Sequence, residues 1–151
     1  MRVPFRHYLA LTTVSTLFLI VLGVYTGKIG AGLACDARWP LCDGWMGLFP
    51  ANWPSFVEWF HRLVAMIVGF MIIGAALLAW RRNKGKLILY PLVIATFLLP
   101  FQIVFGATTV LAFSAEASMI HQIAAQLIFG ALVIGTTVAY LDAREPTGLQ
   151  S

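Results

Sequence analysis

Glu58, His61 and Arg62 open an apolar run that continues to Trp80, and their types and spacing point most directly to chemistry. Ionisable groups at a hydrocarbon boundary are costly unless they pair, bind something or reach water. A second histidine, His121, stands at the corresponding point of another apolar run, and the long apolar runs hold no other. Two imidazoles at one depth of a helical bundle suit the two axial positions of a haem iron, provided that small residues beside the rings leave space for the porphyrin. His61 is followed by Ala65 one turn on and Gly69 a turn further, and His121 by Ala124, Ala125 and, deeper, Gly130. Small residues also let helices pack closely in any membrane bundle, so on their own they carry either meaning. A metal held without haem fits less well, because no third histidine stands at that level and zinc would have to recruit a carboxylate.

Glu58 precedes His61 by about one turn on a similar helix face. A partly buried carboxylate there suits proton transfer or stabilisation of developing positive charge. Two structural roles are open to it as well: an i,i+4 pair with Arg62 and, with Ser55 three residues earlier, a capping box at a helix start. Arg62 is placed either to meet haem propionates or to extend to the membrane surface. Cys35 and Cys42, the only cysteines, enclose Arg38, Trp39 and Pro40. Two readings stay open for them, a structural disulfide and a reversible dithiol that passes electrons or briefly bonds a substrate. Glu116 is read as solvated, and His7, next to Arg6, as an interfacial residue.

The elements that must position these residues are membrane helices. The 151 residues are 60% hydrophobic and 11% charged, outside the range of a soluble domain. About 20 apolar residues cross a bilayer as a helix, and four runs qualify, at about 9–27, 57–80, 88–111 and 119–141. The expected fold is therefore all-α, a single four-transmembrane-helix bundle over 1–151, with 142–151 as a loose tail. The first run follows Arg2 and Arg6, but it is long and no convincing small-residue cleavage site closes it, so it is read as a retained helix. The net charge of +4 concentrates in Arg81, Arg82, Lys84 and Lys86 and in Arg2 and Arg6. The positive-inside rule puts those segments, and so both termini, in the cytoplasm. Topology thus accounts for the basic charge, and no nucleic-acid partner is expected. Residues 28–56 and 112–118 then lie on the outer side, where a disulfide can persist, and His61 and His121 lie near the outer face.

Between the first two runs, glycines and prolines forbid a long helix, while Trp39, Trp45 and Trp53 suit the membrane interface, so this segment is expected to cap the bundle. The second helix is expected to begin near Ser55, and Pro100 to kink the third. A short internal repeat underlies the layout. Phe18–Thr26 aligns with Phe101–Thr109, which brings Gly23 onto Gly106, and the following helices then align at His61 and His121. As a true duplication it would make two parallel hairpins related by an axis along the membrane normal, with the histidines opposite each other across the bundle centre.

The segment from Gly30 to Gly44 with its two cysteines, the run Glu58-Trp-Phe-His61-Arg62-Leu-Val-Ala65, the run Gln102-Ile-Val-Phe-Gly106 and His121 together closely resemble the haem A synthase family, over about Val14 to Tyr140. The resemblance implies a membrane enzyme that converts haem O to haem A for terminal oxidases, oxidising a porphyrin methyl group to a formyl group by successive hydroxylations with water as the oxygen source. It implies that His61 and His121 are axial ligands of the catalytic or substrate haem, that Glu58 is needed for activity, and that Cys35 and Cys42 form an outer disulfide. The family's usual chain has a second four-helix half, which holds a haem b on its own histidine pair. This chain resembles a short, single-bundle form, which implies a homo-oligomer in which another copy supplies the haem b site.

The expected cofactors are therefore haem b and/or the substrate haem O, with no other metal. The expected partners are membrane lipid, a haem O synthase and terminal oxidase subunits, and the expected location is a prokaryotic plasma membrane. The rival reading is a bis-histidine haem protein that carries electrons or delivers haem without turnover. It needs both histidines but neither Glu58 nor the cysteines.

Overall fold

A computed structural model describes residues 4–35, 38–112 and 114–143; Arg2 and the tail beyond 143 lie outside the described residues. Four long helices make up most of it: α1 Phe5–Lys28, α2 Trp53–Arg81, α3 Lys86–Leu111 and α4 Ala115–Asp142, with one 3-10 turn at Ala31–Leu33. At about 1.5 Å per residue they run about 36 to 44 Å, and all four are long and apolar enough to cross a membrane. Val14, Phe70, Phe97, Val104 and Leu127 are exposed on their outward faces, a surface that suits lipid rather than water.

The helix starts follow from local chemistry. Asn52 caps α2, its side-chain oxygen accepting the Ser55 N–H at 3.0 Å, and Pro54 sits in the first turn, where a missing N–H costs nothing. The helix thus begins before the expected start near Ser55, and the expected capping box between Ser55 and Glu58 does not form. Asparagine caps as well as serine does, and Pro54 is already shaped for the first turn. Ser55 is instead fully buried, its hydroxyl 3.0 Å from the Ala34 carbonyl and 2.9 Å from Asp43 Oδ2, so that one proton is shared by two acceptors. Ser114 caps α4 by accepting the Ala117 N–H at 3.1 Å. Helix α3 continues through Pro91 and Pro100 as one element.

Helix α1 packs against α2 and α4, and α3 packs against the same two, whereas α2 and α4 make no backbone contact among the described residues. The helices therefore stand in ring order, with α2 and α4 across a diagonal. A close-packed core occupies one end, built on Leu9, Val68, Ile72, Ile88, Leu92 and Leu132. Polar ties reinforce it: Tyr8 Oη donates to the Met71 carbonyl at 3.1 Å, and the Thr13 and Thr136 hydroxyls are 2.8 Å apart. Arg6, Lys84 and Asp142 line a common cleft at this end, which brings together the basic turn and the chain-terminal ends of α1 and α4.

Toward the other end the packing changes. No residue is fully buried over 17–25 of α1, 59–67 of α2, 96–109 of α3 or 118–123 of α4. Protein interiors are close-packed, so inward positions that are only half-buried on all four helices mark a layer that side chains do not fill.

Candidate functional site

This open layer contains His61 on α2 and His121 on α4, carried by the two diagonal helices. Each ring is backed by a glycine of the preceding helix. A Cβ at Gly23 would stand 3.0 Å from His61 Cε1, and one at Gly106 would stand 2.9 Å from His121 Cε1. These are the pairs that the internal repeat aligns, so the repeat in the sequence is also a repeat in the packing. In the sequence these glycines have no role beside the histidines; their place there becomes visible once the helices are paired.

The two rings differ in their hydrogen bonds. His121 Nδ1 lies 3.0 Å from the backbone carbonyl of Gln102, and Nε2 lies 3.3 Å from the Gln102 side-chain nitrogen. A carbonyl only accepts, so Nδ1 carries the proton and Nε2 presents its lone pair to the amide. His61 Nδ1 is buried without a partner. Leaving a buried polar atom unpaired costs about 1–3 kcal/mol, which a ligand in the layer would offset. Gly69 and Gly130, two or more turns further along α2 and α4, lie beyond this layer among the core residues, although a Cβ at either would meet nothing within 4 Å.

Glu58 is 4% exposed. Arg62 Nε donates to its Oε1 at 2.8 Å, so of the structural roles open to the carboxylate it takes the ion pair. The rest of the Arg62 guanidinium reaches into the loop between α1 and α2. Its Nη1 faces the carbonyls of Arg38, Pro40 and Leu41 at 2.9, 3.2 and 2.7 Å, and Nη2 is buried without a partner. All three carbonyls lie between Cys35 and Cys42, which form a disulfide with both residues fully buried. Gly44, at φ +84°, closes the adjoining turn, where a Cβ would overlap the Phe49 carbonyl. Asp43 lies beside the two sulfurs, but disulfide sulfurs offer no thiolate to a metal. Two other candidates stand apart from the layer: exposed Glu116, which accepts from Ser114 Oγ at 2.8 Å, and exposed His7, whose Nδ1 is 3.1 Å from Tyr140 Oη.

An iron porphyrin fits what is present: an unfilled layer, an imidazole from each of two diagonal helices, an orphaned ring nitrogen, a buried carboxylate and one uncommitted guanidinium nitrogen. Fold and site together define a helical-bundle membrane protein with one histidine on each of two diagonal helices. Comparison with known proteins narrows the class. The sequence model of a family described as cytochrome oxidase assembly protein (COX15-CtaA) matches residues 46–148, more than half of the chain. A heme A synthase of Alkalihalophilus pseudofirmus is 33% identical over 149 residues, covering 94% of this chain and 48% of that protein. One from Bacillus licheniformis is 30% identical over 135 residues, covering 88% and 44%. A protoheme IX farnesyltransferase of Halobacterium salinarum is 35% identical over 132 residues, covering 86% of this chain and 28% of that protein. The chain belongs to the haem A synthase family of cytochrome oxidase assembly proteins. It spans about half the length of the heme A synthases it matches.

Proposed function

We propose that this chain is a haem A synthase, acting on haem O as substrate and oxidising its methyl group to a formyl group by successive hydroxylations, with water as the oxygen source. One observation carries the reading: two glycine-backed histidines on diagonal helices meet a layer that protein does not fill, within a turn of a buried carboxylate. In this proposal His61 and His121 hold the iron, and Arg62 Nη2 is the donor left for a propionate. Removing two electrons and a proton from a methyl group leaves positive charge on the carbon, and Glu58, held in place by Arg62, is the group that would stabilise it as water adds and gives up its proton to the solvent. A second such oxidation gives the hydrated aldehyde, which loses water. The electrons leave to an acceptor outside the chain. Full burial of both sulfurs supports a structural role for the Cys35–Cys42 disulfide.

The positive-inside rule supports cytoplasmic placement of Arg6 and the 81–86 turn, with the disulfide loop on the outer face of a prokaryotic plasma membrane. The proposal extends to partners: a second copy of the bundle with its own haem, haem b included, a haem O synthase and the terminal oxidase. The farnesyltransferase relative supports the second of these, because a segment similar to this chain makes up 28% of a protein named for farnesylating protohaem.

The test is co-expression with a haem O synthase in a host that makes no haem A, followed by porphyrin identification by chromatography and mass. Haem A or its hydroxylated precursor is expected, and is lost in Glu58→Gln. Recovery of haem b or O alone, with electron acceptor supplied, would replace the enzyme by a haem carrier.

A further inference from the structure

Gly106 is helical, so its lack of a side chain is not needed for backbone conformation. Its use is access. In a helix the carbonyl of Gln102 already accepts the N–H of residue 106, and residue 106 stands directly above it on the same face. A second donor can reach that carbonyl from the side only if no Cβ at 106 blocks the approach, and a Cβ there would lie 3.3 Å from His121 Nδ1 and 2.9 Å from Cε1. With glycine in place, His121 Nδ1 comes to 3.0 Å from the carbonyl, using its second lone pair. The side chain of the same Gln102 turns to the other ring nitrogen, Nε2 to Nε2 at 3.3 Å, while its own Oε1 is buried without a partner. One residue therefore engages both nitrogens of His121. At the aligned position His61 has the glycine but no such bond, since its Nδ1 is unpartnered.

We propose that Gly106 and Gln102 are positioning residues for His121. Gly106 admits the ring to the Gln102 carbonyl, the carbonyl fixes the proton on Nδ1, and Nε2 is thereby the nitrogen presented to a ligand, with the Gln102 amide as a displaceable cover over it. His61, held by packing alone, is the adjustable partner. This rests on the reading of the two histidines as haem ligands, for which an N–H to carbonyl bond on the far ring nitrogen fixes the tautomer and raises basicity.

The experiment is nitrogen NMR on the full chain, labelled with 15N-histidine, in lipid nanodiscs without haem and at alkaline pH, with His121→Ala to assign the signals. His121 is expected as a single tautomer protonated at Nδ1 and His61 as a mixture. Gly106→Ala should turn His121 into a mixture and weaken uptake of added haem b by about tenfold or more. Gln102→Ala keeps the backbone carbonyl but removes the amide over Nε2, so it should preserve the tautomer and take up haem b more tightly than the wild type. A wild-type His121 protonated at Nε2 overturns the proposal whether or not Gly106→Ala folds, as does a folded Gly106→Ala with unchanged tautomer and uptake. The expected tautomers without any uptake of haem b by the wild type would support the positioning and overturn the haem reading instead.

Discussion

Glu58 and Arg62, one turn apart on α2, form an ion pair at 2.8 Å with only 6% and 14% of their side chains exposed. A buried pair is sustained best when its remaining donors are satisfied; here the disulfide loop engages Nη1 through three carbonyls, while Nη2 is left without a partner. The carboxylate, the guanidinium and the loop are therefore one unit. The position of Glu58 beside the open layer depends on a segment remote in the chain.

Arg62→Ala should accordingly cost about 3–5 kcal/mol, the usual penalty for leaving one partner of a buried pair uncompensated. Arg62→Lys keeps the charge but cannot fork between a carboxylate and three carbonyls, so it should recover less than half of the loss. Reversible unfolding in mixed micelles measures both. An Arg62→Ala chain within about 1 kcal/mol of wild type would show that the pair is not structural.

Replacing both cysteines by serine removes a short loop closure worth about 2–3 kcal/mol. Because the freed loop also releases Arg62, this change and Arg62→Ala should not add. A double-mutant cycle is expected to give a coupling of about 0.5–3 kcal/mol. Simple additivity would mean that the loop holds its shape without the disulfide and that the two act independently.

The number of helices and the shared depth of the histidines were legible in the sequence because long apolar runs have few alternatives in a membrane. The start of α2 was not, because Asn52 and Ser55 are both competent caps and only the burial of Ser55 against Ala34 and Asp43 decides between them. The roles of Gly23, Gly106 and Gln102 were hidden for a different reason. Helices that are apolar nearly all round give no periodic sign of which face turns inward, so the residue opposite each histidine depends on helix pairing, which the sequence suggests only through its repeat.

The division of the bundle into a packed end and an open end gives a third expectation. Leu92 is fully buried in the core, so Leu92→Ala should cost about 2–5 kcal/mol while leaving the absorption spectrum of bound haem b unchanged. Unfolding of the apo chain and the spectrum of the loaded chain check the two halves separately. A spectral change would mean that core and site are mechanically coupled.

The last prediction compares one substitution at two sites a turn apart on α1. At Gly27 a Cβ would meet nothing within 4 Å, whereas at Gly23 it would press on His61 Cε1 at 3.0 Å. Helix propensity favours alanine over glycine at both by up to about 1 kcal/mol, so Gly27→Ala should be neutral or slightly stabilising. Gly23→Ala has the same propensity gain but must push the imidazole aside by a few tenths of an ångström. His61 has no hydrogen bond on Nδ1 to resist that push, so the fold should survive while the ring turns. Electron paramagnetic resonance of the ferric, haem b-loaded chain reads ring orientation directly. A shifted low-spin signal in Gly23→Ala beside an unchanged one in Gly27→Ala is the expected pattern, and identical spectra for the two would show that Gly23 does not set the His61 ring.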